Sequence, residues 1–248
     1  DQYYRALAVQ QLARRAGAPI VVGTVLQDPD GTYTNSSVVF DANGVTELRY
    51  DKRRPVPFAE YMPNRAFFHT LAPDLVDLVQ LDYAFGTRPA VMPIETESVA
   101  VRAGIAICFD IVFDDQAVAM MQGDAQVIFA QTNNADFGHT EESAQQLQIA
   151  RLRAVETGRA LVNISTVGTS AVVLPGGSLE SSLMPFTADA MIASVPLRTG
   201  LTPALRFGAV IAGGWIALGL AGFGAGAFGL RGARRDAVSP AAPVTVRT

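Results

Sequence analysis

One cysteine, Cys108, is all the thiol this 248-residue chain has, so no disulfide forms within it. Histidine is nearly as scarce: His69 and His139 lack partners at metal-ligand spacing and read as non-catalytic, and neither a metal nor a cofactor is expected. Charge is thin as well. Asp, Glu, Lys and Arg make up 17% of the residues, where a typical soluble domain carries about a quarter. The net charge of −4 gives no basic surface, which excludes nucleic acid as the expected partner. A starting Met and a signal peptide are missing too. Residue 1 is Asp, and the chain opens directly in a helical pattern, Tyr3-Tyr4-Arg5-Ala6-Leu7, so it reads as a piece of something longer.

What the chain does have is apolar residues, 49% of the total, concentrated towards the C-terminus. Residues 207–230 carry no charge and are long enough to span a bilayer. They are rich in Gly and Ala, which membrane helices tolerate. Arg198 and Arg206 precede the run; Arg231, Arg234 and Arg235 follow it, a bias that puts the C-terminus in the cytoplasm and the rest of the chain outside. The expected organisation is an α/β domain over 1–200, a transmembrane helix over 206–230, for which a buried core helix is the alternative, and a basic, disordered tail over 231–248.

Before that run, strand and helix signals alternate without a long repeat, as in an α/β layered domain. The opening helix is expected to end at Ala16-Gly17. Pro19–Val25, Asn35–Phe40 and Val45–Tyr50 read as strands, the last two joined by an Asp41-Ala-Asn-Gly44 hairpin turn. Residues 62–98 are less regular, with apolar segments Ala66–Leu71 and Leu75–Leu81 between prolines that read equally as core or as a loop touching something apolar. Gln126–Thr132, Ala160–Ser165, Thr169–Leu174 and Met191–Pro196 read as further strands, and Glu141–Thr157 as a long helix.

The stretch around Cys108 is the most informative. Val99, Val101, Ile105 and Ile107 lead into it as a strand. Gln116–Met121 follows as a helix for which Asp114 and Asp115 are candidate caps. A thiol at a strand-to-helix turn is how a fold presents a nucleophile to helix N–H groups. Taken by position alone, the same cysteine also fits a buried structural role. Lys52 alone fits a solvated surface, and Glu60 alone fits an ion pair with Arg53 or Arg54.

Several stretches together resemble the apolipoprotein N-acyltransferases of the nitrilase (carbon-nitrogen hydrolase) superfamily. They are Tyr50-Asp51-Lys52-Arg53 with Val56-Pro-Phe58-Ala59-Glu60-Tyr61-Met-Pro63, Ile107-Cys108-Phe109-Asp110-Ile-Val-Phe113, and Thr132-Asn133-Asn134-Ala-Asp136-Phe-Gly138. The run Gln148–Arg159 and Gly200-Leu-Thr-Pro203 match as well. Ala59, Phe109, Asp110 and Asp136 depart from the family's Gly, Tyr, Glu and Trp. The resemblance implies a nitrilase-type α-β-β-α sandwich on the outer face of the bacterial plasma membrane. It implies Cys108 as nucleophile, Lys52 as the catalytic lysine and Glu60 as the additional glutamate beside it. The general-base Glu of the family is expected upstream of Asp1, so the chain alone is expected to be inactive. Phe109, Asp110 and Asn133 are expected at the substrate, and Phe67 and Phe68 where acyl chains enter. The implied reaction moves an acyl chain from a membrane phospholipid, through a Cys thioester, to the N-terminal amine of a diacylglyceryl-cysteine lipoprotein. Two other functions fit the same residues: a membrane-tethered nitrilase-type amidase, and a non-catalytic membrane subunit that binds lipoproteins.

Overall fold

The β-branched and serine-rich residues 33–41 form the middle strand of a three-stranded antiparallel sheet. In a computed structural model, which describes residues 2–236, that sheet has the order β1 (Ile20–Gln27), β2 (Tyr33–Asp41), β3 (Gly44–Asp51). The Asp41 carboxylate closes the β2–β3 turn by accepting the N–H groups of Asn43 at 2.7 Å and Gly44 at 3.0 Å. Helix α1 (Gln2–Ala16) packs on β2 and β3.

The second sheet has six strands in sequence order: β4 (Val91–Glu95), β5 (Ala100–Ile107), β6 (Val127–Thr132), β7 (Ala160–Ser165), β8 (Ala171–Val173) and β9 (Leu179–Ser182). Its centre, β5-β6-β7, is parallel, and the flanking pairs are antiparallel. Parallel neighbours need crossovers, supplied by α4 (Asp114–Gln122) and α5 (Glu142–Thr157). Strands covered on both faces bury every side chain. Accordingly the alternation expected before Cys108 gives way to a continuous buried run, Ala103–Ile107, with Val99 outside the strand. Ile105, Ile128 and Leu161 are fully enclosed, each stabilising the fold by roughly 1.5–3 kcal/mol relative to exposure.

The two sheets face each other, β2 against β5. Ser37 donates across the gap to Gln131 Oε1 at 2.5 Å, and Gln131 Nε2 donates to the Val21 carbonyl at 3.2 Å. With α1 on one side and α4 and α5 on the other, the layers run helix, sheet, sheet, helix.

The structure departs from the sequence reading in four places. Residues 91–95 form β4, hidden from the pattern by Pro93, which an edge strand tolerates because one of its sides needs no ladder donor. Met191–Pro196, expected as the last strand, is not one: Ile192 is 98% exposed, and the polar segment Leu179-Glu-Ser-Ser182 takes the sheet edge as β9. Asp114 and Asp115 do not cap α4; they lie in its first turn, paired with Arg153 and Arg54 respectively. Finally, the C-terminal helix is longer than expected.

The chain divides into two units after Thr202. The second contains α6 (Pro203–Asp236). Its stretch Pro203–Gly226 is the one helix among the described residues long and apolar enough to cross a membrane, with none of its apolar window buried. The helix runs through 231–236, which the sequence reading had assigned to the tail. The remainder of that expected tail, 237–248, lies outside the described residues.

Candidate active site

Strand β3 ends at Asp51 and delivers Lys52 into the interior, where its side chain is 1% exposed. The ammonium of an isolated buried lysine is costly, and here it lies 2.5 Å from Glu60 Oε2. Glu60 is held in turn: Oε2 accepts the Val56 N–H at 2.7 Å and Oε1 accepts Asn35 Nδ2 at 3.1 Å. The lysine's backbone is fixed as well, donating to the Asn35 carbonyl and accepting from the Gly86 N–H, both at 2.8 Å. Gly86 comes so close that a Cβ there would lie 2.0 Å from the Asp51 carbonyl oxygen, so no other residue fits. Lys52 and Glu60 are thus a built pair. Glu60 does not ion-pair with Arg53 or Arg54.

Cys108 follows β5 directly and opens a 3-10 turn, Cys108–Val112, that leads to α4. Its φ is +49°, a left-handed backbone that costs a non-glycine residue about 1–2 kcal/mol. The free thiol is half-buried rather than enclosed. Strain of this kind persists only where the surroundings impose it, and two residues impose it. Asp110, fully buried, accepts the Arg54 N–H at 2.8 Å on one oxygen. On the other it accepts the Tyr50 hydroxyl at 2.8 Å and the Ile107 N–H at 3.1 Å. From the opposite side Arg153, on α5, donates to the carbonyls of Ile111 at 2.9 Å and Val112 at 2.6 Å.

Asp110 therefore ties the cysteine turn to residues on both sides of Lys52, and the Lys52 charge acts on its carboxylate. Burial pushes the Asp110 carboxyl above its ordinary value against the pull of its donors. Burial likewise drives the Tyr50 phenol far upward, which keeps it a neutral donor, and Gln116 Nε2 donates to that same oxygen at 2.9 Å.

Other expected site residues are placed as follows. Phe109 is half-buried and stacks edge-on against Phe113 at 5.0 Å. Asn133 is exposed in the loop after β6, beside the cysteine strand in the sheet order, where its Oδ1 accepts the Thr166 hydroxyl at 2.6 Å. Phe67 and Phe68 lie together on α2 (Arg65–Leu71), with their rings at 5.2 Å, but face different ways. Phe68 packs on the buried cluster Met62, Val76 and Val79, while Phe67 is 54% exposed. Leu71, Leu75 and Leu78 extend the exposed apolar surface. Sequence reasoning assigned no role to Tyr50, Arg153 or Gln116. The contacts that bring them to the cysteine turn, Tyr50 with Asp110 and Gln116, and Arg153 with Ile111 and Val112, join positions 41 to 66 residues apart, and no local pattern encodes those.

Asp110→Ala is expected to lower stability by about 2–4 kcal/mol, because the buried Ile107 N–H and Tyr50 phenol and the part-buried Arg54 N–H lose their acceptor. The carboxyl's folded pKa lies above its unfolded value of 3.8, so it contributes most to stability below 3.8 and loses that contribution as pH rises through the folded value. The stability gap between wild type and variant, measured by urea titration, should therefore widen on acidification. A constant gap would put the carboxyl in its ordinary range.

A family profile described as carbon-nitrogen hydrolase matches residues 5–200. The chain is 34% identical over 204 residues to an apolipoprotein N-acyltransferase of Mycolicibacterium smegmatis, covering 80% of this chain and 33% of that protein. It is 32% identical over 208 residues to one of Ralstonia nicotianae, covering 82% and 38%. The chain thus spans a third to two-fifths of the length of these relatives. Among solved structures, a carbon-nitrogen hydrolase from Helicobacter pylori aligns with TM-score 0.56 at 16% identity, over 76% of this chain and 66% of that one. An amidase variant from Nesterenkonia sp. AN1, with an acetamide moiety added covalently at its active-site cysteine, aligns with TM-score 0.52 at 19% identity, over 73% and 62%. The family profile over residues 5–200 and the relatives at 34% and 32% identity agree with the layered fold: the chain belongs to the carbon-nitrogen hydrolase family.

Proposed function

We propose that this chain is the catalytic portion of a membrane-bound N-acyltransferase that carries an acyl chain on Cys108. The observation that carries the reading is the buried Lys52–Glu60 pair, tied through Asp110 to a strained cysteine turn. In this reading the Cys108 thiolate attacks the ester carbonyl of a phospholipid. The Lys52 ammonium and the N–H groups at the turn stabilise the oxyanion. The lysophospholipid leaves with a proton, and a thioester remains. The α-amino group of a diacylglyceryl-cysteine then attacks the thioester, the amide forms, and the thiolate is restored. Glu60 pairs with Lys52 and aims it. Asp110, fully buried with both oxygens turned to protein donors, positions the turn rather than touching substrate, whereas Phe109 and Asn133 line the substrate's approach. The general base is a glutamate outside these 248 residues. Residues 206–230 span the plasma membrane with the catalytic domain on the extracytoplasmic side, and the arginines after the span favour a cytoplasmic C-terminus.

The names of the relatives support a lipoprotein acceptor. Intact-mass analysis of the full-length protein incubated with phospholipid vesicles should find one acyl chain in thioester linkage at Cys108. Release of ammonia from small amides, with no acyl adduct from phospholipid, would overturn the reading in favour of an amidase.

The exposed apolar face of α2 supports a membrane donor, since water-facing Phe and Leu are a liability elsewhere. Phe67 and Leu71, four residues apart on one helix face, are the contacts we assign to lipid. Each buried side chain contributes roughly 1.5–3 kcal/mol. Phe67→Ser/Leu71→Ser should therefore raise the apparent KM for vesicle phospholipid about a hundredfold or more. Acylation by a short water-soluble ester should stay near normal. Loss of both activities together with unfolding would make the segment ordinary core.

A further inference from the structure

Arg159, the last residue of one motif stretch, and the stretch Gly200-Leu-Thr-Pro203 take no part in the chemistry above, and the structure joins them to each other. Arg159 stands just before β7 and is 3% exposed. Among the described residues its guanidinium has no ion-pair partner and donates only to carbonyls: Nε to Ala125 at 2.6 Å, Nη1 to Thr157 at 3.0 Å and Nη2 to Gly200 at 2.8 Å. Burial and the like charge of Arg198 push its pKa down against the pull of the Asp124 charge, as expected of a cation whose hydrogen bonds all go to carbonyls. A planar fork reaching carbonyls from separate segments is a task lysine cannot perform.

The third of those carbonyls belongs to Gly200-Leu-Thr-Pro203. Gly200 sits at φ +84°, a backbone that suits glycine. Further stitches hold the same run. The Thr202 hydroxyl donates to the Glu156 carbonyl, and the Arg198 N–H donates to the Gln126 carbonyl at 3.2 Å. A Cβ on Gly158 would come within 3.0 Å of the Thr202 methyl, so the helix end is shaped to receive it. Residues 198–202 are therefore bound to the end of α5 and to the segments entering β6 and β7. The next residue, Pro203, begins the apolar stretch Pro203–Gly226.

The location matters. Ile107, just before the cysteine, pairs with Gln131 near the end of β6, whereas Ala125 and Gln126 precede its first residue, Val127. At about 3.3 Å per residue, the anchor lies roughly 15–20 Å from the cysteine along the strands, at the opposite sheet end.

We propose that Arg159 is a positioning residue that bolts residues 198–202, the run-in to the apolar stretch, to the sheet end opposite Cys108, so that the chain leaves the catalytic domain for the membrane at one fixed place. The proposal rests on the membrane acyl-donor reading above. A tether of this kind acts only on a substrate that stays in the bilayer; a donor that diffuses freely reaches Cys108 wherever the domain is held.

The test uses the full-length protein in membranes, with two variants. Arg159→Lys keeps the charge but loses the fork. Gly200→Ala leaves the core untouched, with nothing within 4 Å of the added Cβ, but strains the φ +84° backbone. Three quantities are read: hydrogen exchange at residues 198–202, Cys108 acylation from phospholipid vesicles, and Cys108 acylation from a short-chain soluble ester. Wild type should protect residues 198–202, and both variants should lose that protection. Vesicle acylation should fall at least tenfold, with soluble-ester acylation within twofold of wild type. Rapid exchange at 198–202 in wild type would overturn the bolt itself. Loss of protection with unchanged vesicle acylation would overturn its positioning role, as would equal loss of both activities in the two variants. No Cys108 acylation from either donor in wild type would instead overturn the function on which the proposal rests.

Discussion

Cys108→Ser in the full-length protein is expected to leave no turnover, at least about a thousandfold below wild type, with no thioester by intact mass. Sulfur is the nucleophile this step needs, and a cysteine side chain supplies it more readily than any hydroxyl. A serine hydroxyl is far weaker, and an oxyester formed on it would be a poorer acyl donor to an amine. Undiminished turnover in Cys108→Ser would remove the covalent intermediate from the mechanism. The backbone adds an expectation that runs against the activity. Cys108 holds φ +49°, and glycine adopts that region without steric cost. Cys108→Gly should therefore be more stable than Cys108→Ala by about 1 kcal/mol, although both are inactive. Greater stability of the glycine variant marks backbone strain that the turn imposes on any residue with a Cβ. Equal stabilities in chemical denaturation would show that the turn is relaxed around any residue.

Legibility in the sequence followed the range of the interaction. The hairpin at Asp41–Gly44 was readable because Asp and Asn-Gly bond their own neighbours. The cysteine turn was readable because strand and helix patterns flank it. β9 was not: Leu179–Ser182 is mostly polar, and it forms a strand because β8 offers it an edge, whereas the more strand-like Met191–Pro196 finds none. Lys52 is the sharper case. At a strand end it looked dispensable to the core, yet it is enclosed, because Glu60, eight residues on, folds back to neutralise it. Asp110 was readable as part of a motif and unreadable as a bridge. Its partners Tyr50 and Arg54 lie 60 and 56 positions away, and no periodicity reports such a distance. The resemblance to a family named the candidate residues; the tertiary contacts show which of them are tied up holding others, as Asp110 is.

Lys52→Met is expected to abolish Cys108 acylation, by at least about a thousandfold, and its interpretation turns on the burial just described. Removing one member of a buried ion pair leaves the other unpaired, at a cost of up to about 3–5 kcal/mol. Glu60 keeps its bonds from Val56 and Asn35 and is partly open to solvent, so a loss nearer 1–3 kcal/mol is expected here. Lost activity with lost stability does not by itself separate a catalytic charge from a structural one. The double variant Lys52→Met/Glu60→Gln does. Removing both charges leaves no ion without its partner, and stability should recover most of the single variant's loss, since contacting groups couple non-additively. If Lys52 acts by its charge on the thiolate and oxyanion, acylation stays lost when stability returns. If the pair serves only the fold, stability and acylation return together, and the lysine leaves the mechanism. Thermal unfolding and thioester formation on the same preparations of the full-length protein, wild type with the two single variants and the double, decide between them.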